Sequence, residues 1–439
     1  MSRLSTVGIP GIHAGEDVKN SLPDAVLVDP QRLTQRYLSW AGWLAVCLPF
    51  GLLIGNAGAE FFAGLLVIAF AVSHVRARDF GWLKQDWVRI LLLLWVYTVV
   101  RAGFSLYPRH SLTEAVGWLR FILLAVALQY WVLPHKVWQQ RLVNMGLLCV
   151  TWLGLDSIIQ FVHGKDLFGH VKQVNYFHGR QFVRLTASYN KAYVGIMMAW
   201  QFLPYVMADA QRKHVWRAVA LGAVTLLAIF LSGERLALLF TLLSMAIVLA
   251  VVPPLRRVGM VTALVLALGF GGIMVVKPSI YQRQVASTWS IVRDIPHSTY
   301  GVIWTSAFNI IHDYPVFGVG MNNFEAVCRE TRYGPDDPLH LGESRCPPHP
   351  HNLYLEWLVE GGAIAVAGFT FAMLVILRRG WRTWLQHKDS LLLASLVAYF
   401  TIRIWPVASQ TSFFHGWAAI PFWMGVGWML CEVDRLNTK

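Results

Sequence analysis

The segment 347–352 holds the side chain best suited to acid–base chemistry. Its sequence is Pro-Pro-His-Pro-His-Asn, and the apolar run 353–358 follows at once. Prolines restrict the backbone, and a histidine titrates near neutral pH. We therefore expect His351 to accept a proton from an attacking hydroxyl group. A histidine that only caps a helix or meets solvent is the alternative interpretation.

Two arginines beside apolar segments predict an anion site. Arg184 ends a polar stretch, and Arg235 closes the short turn 232–235. Charged groups at such positions are costly unless they are paired or used. Guanidinium groups suit phosphate oxygens and stabilise a leaving pyrophosphate. For Arg235, a local pair with Glu234 or extension to lipid headgroups is the alternative. Lys191 adds positive charge to the same region.

The cysteines and histidines indicate a disulfide and no metal centre. Cys328 and Cys346 share one polar segment, where an oxidising compartment favours a bridge, and two unrelated thiols are the alternative. The other cysteines lie in or beside apolar runs and are expected to pack as small hydrophobes. The histidines of this segment, His340 included, lack metal-ligand spacing, so no metal and no cofactor is expected.

The elements that position these residues are membrane helices. The chain has 439 residues, of which 56% are hydrophobic and 14% charged, and this excludes a soluble enzyme. Apolar windows predict an all-α polytopic protein of about twelve spans. The predicted spans lie near 38–56, 59–75, 88–106, 112–133, 142–163, 192–208, 215–232, 236–252, 258–276, 353–377, 390–408 and 412–430.

Charge in the short connections predicts the orientation. Clusters of Lys and Arg such as 76–89, 212–217 and 378–388 fall on one side, which is then cytoplasmic, as are both termini. The net charge of +13 is therefore attributed to loop bias, and no nucleic acid is expected. We expect a cytoplasmic tail at 1–37 rather than a signal peptide, followed by one membrane domain at 38–439.

Two longer polar segments, about 164–191 and 277–352, are predicted on the outer side. The second lies between spans nine and ten, and helical spacing of apolar residues within 298–315 predicts an amphipathic surface helix. Arg120 and Asp156 fall within predicted spans, and we expect them to pair with each other. Arg101 and Arg403 lie near outer span ends and are weaker candidates for the site.

Four local motifs resemble the superfamily of O-antigen ligases, O-antigen polymerases and bacterial protein O-oligosaccharyltransferases. In chain order they are Arg184–Asn190, Ser232–Arg235, Pro315–Phe324, and His351-Asn352 followed, after nine intervening residues, by Gly362. The third matches the family pattern Pro-x-x-Gly-x-Gly-x-x-x-Phe well. Ala187, Lys191, Glu234 and Ala365 differ from the residues usual in the family.

The resemblance implies an inverting, metal-independent glycosyltransferase with a GT-C-type architecture in the bacterial inner membrane. It would move a glycan from undecaprenyl pyrophosphate to a hydroxyl group of lipid A-core on the periplasmic face. His351 would be the base, and Arg184 and Arg235 would hold the pyrophosphate. Asn352 would orient the His351 ring or bind sugar, and Tyr300 would line the acceptor cleft.

Other functions remain open from the sequence. A polymerase would use a second lipid-linked glycan as acceptor, and a protein transferase would use Ser or Thr of an exported protein. The compact outer loop favours the ligase. A secondary transporter also has about twelve spans, but it normally has two related halves with broken helices and midplane charges. Here the polar groups gather at one membrane face.

Overall fold

The computed structural model describes residues 30–177, 180–189, 191–252, 256–333, 346–406 and 411–438. His340 and residues 1–29 of the predicted tail lie outside these ranges, and helix α1 begins at Pro30. The described chain is mostly helical. Its first half contains α1 (Pro30–Val46), α2 (Leu48–Ile54), α3 (Asn56–Ala77), α4 (Asp86–Gly103), α5 (Pro108–Val126), α6 (Lys136–His163), α7 (Val194–Ala199) and α8 (Phe202–Gln211).

The second half continues the helical pattern. Its helices are α9 (Val215–Leu231), α10 (Arg235–Val251), α11 (Arg256–Val276), α12 (Pro278–Tyr281), α13 (Ser287–Arg293), α14 (Thr299–Asp313), α15 (Phe324–Cys328), α16 (Leu353–Gln386), α17 (Leu391–Arg403) and α18 (Gly416–Asn437). A large apolar core joins the faces of these helices, with Trp118, Trp357 and Trp423 fully buried in it.

Several helices are long and apolar enough to cross a membrane. Within the described residues five meet this test, or six if the bent pair α1 and α2 is one span. They include α3, α5 with the π turn that follows it, α6, α11 and α16, while α9, α10 and α17 are apolar but shorter. The chain is thus a multi-pass helical membrane protein. The count of twelve spans and the GT-C architecture stay predictions.

A small hairpin interrupts the all-α pattern in the predicted outer segment 164–191. Strands β1 (Gln173–Phe177) and β2 (Arg180–Arg184) are antiparallel, and Gln173 lies opposite Arg184. Both strands contain Val or aromatic residues, which favour strands, and β1 alternates polar and apolar residues over Gln173–Tyr176. The sequence predicts a loop here, because these short strands carry no apolar run of spanning length. The end of β2 is joined to the turn after α9, because Leu185 N donates to Ser232 O at 3.4 Å.

The predicted surface helix and disulfide are both confirmed. Helix α14 begins after Ser298, whose Oγ accepts a hydrogen bond from Gly301 N at 3.3 Å. Its apolar face and the Cys328–Cys346 disulfide form a second small core against the start of α16. The bridge closes an 18-residue separation and so ties the outer segment to itself.

Helix α16 breaks where the segment 315–320 inserts into it. Gly362 has a φ of 73° inside the helix, and a Cβ there would lie 2.1 Å from Val316 O. Gly318 has a φ of 64°, and a Cβ there would lie 2.4 Å from Glu360 O. Backbone bonds then join the two segments, from Val319 N to Val359 O at 3.0 Å and from Gly320 N to Glu360 O at 2.8 Å. The third and fourth motifs therefore form one unit.

The predicted pair between Arg120 and Asp156 is wrong. Arg120 Nη2 lies 2.9 Å from Glu60 Oε1. Asp156 lies near the C-terminal end of α6, where it accepts hydrogen bonds from Ser188 Oγ at 2.7 Å and Leu167 N at 2.9 Å. Arg120 of α5 therefore pairs with α3, and Asp156 of α6 bonds to the segment that follows α6. These two residues do not join α5 to α6.

Candidate functional site

A cavity of about 300 Å³ brings together four of the predicted site residues. We call it the arginine cavity. Its polar lining consists of Arg184, Glu234, Arg235, Arg283, Thr288, Tyr300, His351 and Thr411, with Tyr193 at its wall. These residues come from the hairpin, the turn between α9 and α10, the segment from the π turn before α13 to the first turn of α14, and the residues that precede α7, α16 and α18.

The turn between α9 and α10 sets the floor of the arginine cavity. Gly233 has a φ of 77°, which favours glycine. Ser232 Oγ accepts from Glu234 N at 3.2 Å, and α10 begins at Arg235. Two charged residues thereby stand at the end of an apolar helix pair, Glu234 buried and Arg235 half-buried, and both line the cavity.

Glu234 is buried and neutralises Arg184 rather than Arg235. Its Oε1 lies 3.6 Å from Arg184 Nη2, and its carboxylate accepts from Gly195 N at 3.3 Å and Ile196 N at 3.0 Å. Burial raises the pKa of Glu234 from its usual value of 4.5 to about 7, against the opposing pull of Arg184. Near neutral pH this carboxyl group therefore supplies less than one full negative charge.

Three guanidinium groups line the arginine cavity, whose described lining has this one carboxyl group. Arg283 Nε donates to Gly233 O at 3.0 Å. Burial, together with the nearby Arg235 and Arg184, lowers the pKa of Arg283 to about 10. Within the described part of the chain, Arg235 Nη1 and Arg184 Nε are buried without a hydrogen-bond partner. The arginine cavity thus has an excess of positive charge and donors directed to no acceptor, which suits an anion.

His351 lies two residues before the first residue of α16, and its backbone conformation is strained. Its φ is 55°, a value that a residue with a side chain adopts only when its surroundings impose it. Trp304 Nε1 donates to Pro350 O at 3.0 Å on one side. On the other, Asn352 Oδ1 caps α16 by accepting from the backbone N–H of residues 354 and 355, both at 3.0 Å. The Tyr300 ring centre lies 6.2 Å from that of His351.

The structure gives Asn352 and Lys191 other positions. The Asn352 side chain caps the helix and also donates to Pro406 O at 2.7 Å, so it positions His351 without lining the cavity. Lys191 is exposed and lies outside the lining. Asn190, the last residue of the first motif, falls outside the described residues.

Arg101 and Arg403 serve the fold elsewhere. Arg101 donates to Phe317 O at 2.9 Å and Gly318 O at 2.7 Å, and so holds the segment that enters α16. Arg403 is buried, donates to Ala418 O at 2.9 Å, and stacks over the Trp200 ring at 4.1 Å. Neither lines the arginine cavity.

Sequence reasoning missed Arg283 and undervalued Glu234. Arg283 lies in a π turn between α12 and α13, Gln282–Ala286, where the sequence has no motif. Only the fold brings it to Gly233. In the described ranges, no group of three or more His, Cys, Asp or Glu side chains is placed to hold a metal ion.

The fold and the arginine cavity define a class: a multi-pass helical membrane protein with a cationic, histidine-bearing site at one end of its helices. Comparison with known proteins adds a family. Residues 220–370 match the family model described as O-antigen ligase. This confirms the resemblance for that segment, which contains Arg235, Arg283 and His351, while Arg184 lies before it.

The chain was also compared with curated proteins and with solved structures. The search among curated proteins finds no match. A solved structure titled as the structural coordination of polymerization and crosslinking by a peptidoglycan synthase complex contains a similar chain. That chain is 18% identical, with a TM-score of 0.45, over 82% of this chain and 100% of that one.

Proposed function

We propose that the protein is an O-antigen ligase. It would transfer a glycan from undecaprenyl pyrophosphate to a hydroxyl group of lipid A-core, with inversion and without a metal ion. The observation that carries the proposal is a single cavity that joins a positioned histidine to three arginines with one carboxyl group between them. The family match over residues 220–370 supports the same chemistry.

The proposed step forms one C–O bond, breaks another and transfers one proton. The acceptor oxygen attacks the anomeric carbon while the bond from that carbon to the pyrophosphate oxygen breaks. A ring nitrogen of His351 takes the hydroxyl proton. The pyrophosphate leaves with the electron pair, and Arg184, Arg235 and Arg283 stabilise its charge. The pyrophosphate leaves without being protonated. Much of the rate enhancement therefore comes from positioning the acceptor against the donor.

We further propose that the arginine cavity faces the periplasm. Helix α9 has the basic connection 212–217 at its first end and Gly233 just beyond its last residue. If the basic end is cytoplasmic, the cavity opens on the opposite side of the inner membrane. Both termini would then be cytoplasmic, with residues 38–439 as one membrane domain and the segments 164–191 and 277–352 outside.

The test is glycan transfer by the purified protein in a chelator. The donor is undecaprenyl-pyrophosphate glycan, and three reactions run in parallel with lipid A-core, with donor alone, and with an exported protein. Glycosylated core as the only product supports the ligase. Chain growth from donor alone would replace it with a polymerase, and glycosylated protein with a protein transferase. No transfer in any arm, together with donor uptake into vesicles, would favour a transporter.

A further inference from the structure

The connection between α17 and α18 contributes Thr411 to the lining of the arginine cavity. The hydroxyl oxygen of Thr411, Oγ1, is buried, and within the described part of the chain it has no hydrogen-bond partner. A threonine hydroxyl can donate one hydrogen bond and accept two. Because a buried hydroxyl without a partner costs free energy, one in the wall of a cavity suits a polar group of a ligand.

The neighbouring residues of this connection serve the fold. Ser412 Oγ accepts from Phe414 N at 3.3 Å, and Ser412 is not among the described residues that line the arginine cavity. Phe413 N donates to the buried carboxyl group of Glu356 at 2.9 Å. No described hydrogen bond of the fold depends on the Thr411 hydroxyl, which separates it from the hydroxyl beside it.

The start of α16 holds the connection on both sides of Thr411. Tyr354 Oη donates to Ile404 O and Asn352 Nδ2 donates to Pro406 O, both at 2.7 Å. The bond between Phe413 and Glu356 adds a third contact, on the other side of Thr411. His351 directly precedes these residues of α16. The segment that carries His351 therefore also positions Thr411, as a preorganised site requires.

Two tyrosine rings line the same cavity. They belong to Tyr193 and Tyr300. The Tyr193 ring packs edge to face with Trp417 of α18, with ring centres 5.0 Å apart and planes at 83°. An aromatic ring has an apolar face of negative electrostatic potential, which suits the C–H groups of a sugar ring. The arginine cavity thus combines groups that bind an anion with surfaces that suit a sugar.

We propose that the Thr411 hydroxyl binds the sugar unit that is joined to the pyrophosphate of the donor. This inference rests on the proposed function. In the proposed step, the anomeric carbon lies between the pyrophosphate on the arginines and the acceptor oxygen beside His351. That sugar unit therefore occupies the arginine cavity. A cavity of about 300 Å³ is small beside a whole glycan, so Thr411 meets the first sugar unit and not the units beyond it.

Charge favours a sugar hydroxyl over a phosphate oxygen as the partner of Thr411. Three arginines already supply charged donors for phosphate oxygens in this cavity. Thr411 is neutral, and α16, which positions it, carries the histidine and none of these arginines. A site that pairs a buried hydroxyl with a substrate hydroxyl rejects a substrate that lacks this group. Thr411 therefore contributes to the choice of sugar.

Two threonines allow a matched test. Thr411→Val removes the hydroxyl and keeps the shape of the side chain, while Thr411→Ser keeps the hydroxyl. Thr241 of α10 is the control position. Its Oγ1 is also buried without a partner in the described chain, but it is not among the described residues that line the arginine cavity. Thr241→Val therefore makes the same chemical change away from the cavity.

The experiment measures Kd values of the purified full-length variants in lipid nanodiscs. The two ligands are undecaprenyl pyrophosphate and undecaprenyl-pyrophosphate glycan. Thr411→Val should raise the Kd for the glycan-bearing lipid about fivefold or more, because one hydrogen bond to the sugar is lost. Its Kd for undecaprenyl pyrophosphate should stay within about twofold, since the arginines are unchanged. Thr411→Ser and Thr241→Val should bind both ligands as the wild type does.

Three results would overturn the inference. An equal rise of both Kd values would assign Thr411 to the pyrophosphate or to the fold. Unchanged Kd values with a higher KM for lipid A-core would assign it to the acceptor. Unchanged Kd and KM values would remove it from binding altogether.

Failure of the sugar site and failure of the proposed function give different results, because the binding measurement needs no turnover. Selective loss of glycan-donor binding in Thr411→Val, without glycan transfer by the wild-type protein, would refute the ligase and keep the sugar site. Glycan transfer by the wild type, with unchanged donor binding in Thr411→Val, would refute the sugar site alone.

Discussion

Arginines at the two ends of the helix bundle have different surroundings. At the end away from the arginine cavity, each of three arginines has a carboxylate partner: Arg217 with Asp209, Arg435 with Glu432, and Arg379 with Asp434. At the cavity end, Arg184, Arg235 and Arg283 line one cavity with Glu234, which pairs with Arg184 and whose pKa is raised by burial to about 7. The sequence contains arginines of both kinds without distinguishing them.

The difference separates charges that serve the fold from charges that serve a ligand. A buried carboxylate such as Asp209 or Glu432, with no side-chain exposure, is stable because its arginine neutralises it. Buried guanidinium groups without sufficient carboxylate are costly, and such groups collect at functional sites. Substitutions at the cavity end are therefore expected to change activity, and substitutions at the opposite end are expected to change stability.

The largest expected effect is on turnover at the cavity end. His351→Ala should lower kcat by roughly 10² to 10⁴, because the proton acceptor is lost. The Kd for undecaprenyl pyrophosphate should stay within about twofold, since the arginines that bind it remain. Transfer kinetics and a binding isotherm measure the two quantities. His312→Ala, at the exposed end of α14, is the control and should behave as wild type. A large loss of donor binding in His351→Ala would argue for a structural histidine.

The next effect is on stability, at the backbone contact between 315–320 and α16 that supports His351. Gly362→Ala should lower the free energy of unfolding by roughly 2 kcal/mol or more, because a positive φ is costly for alanine and the Cβ meets Val316 O. Thermal unfolding in detergent measures this. Gly64→Ala, in an open helical position, should be neutral or slightly stabilising. Equal melting temperatures for the two variants would mean that the backbone contact between 315–320 and α16 is not tight.

At the opposite end, Arg217→Gln should affect stability alone. Asp209 would remain buried without its cation, at a cost of about 1 to 2 kcal/mol, reduced because half of the Arg217 side chain is exposed. Donor affinity should be unchanged. Unfolding and binding measured on the same preparation test both points. Weaker donor binding in this variant would contradict the proposal that only the arginines at the cavity end bind the donor.

The smallest effect is a pH dependence at Glu234. As the pH falls below about 7, Glu234 gains its proton and the arginine cavity becomes more positive, so donor binding tightens. Glu234→Gln should remove this change and bind about threefold to tenfold tighter above pH 8. Because the folded pKa is raised, Glu234 also lowers stability as the pH rises from about 4.5 to about 7. Identical pH profiles of the two proteins would exclude Glu234 as the titrating group.

The sequence predicted the parts of this account that depend on local pattern. Apolar runs indicated the membrane helices, prolines and histidines indicated the mouth of α16, and spacing indicated α14. The partners of charged residues were harder, because they depend on which helices become neighbours. Arg120 pairs with Glu60, and Arg283 reaches Gly233 from 50 residues away. The hairpin was missed because a search for apolar spans passes over short amphipathic strands.

The most direct test of the central claim is the affinity for undecaprenyl pyrophosphate of Arg283→Gln beside Arg217→Gln. The loss of one charge-assisted contact to phosphate should weaken binding by Arg283→Gln at least about tenfold, or roughly 1.4 kcal/mol. Arg217→Gln should bind as the wild type does. Unchanged binding by Arg283→Gln, or an equal loss in both variants, would contradict the assignment of the cavity arginines to the donor pyrophosphate.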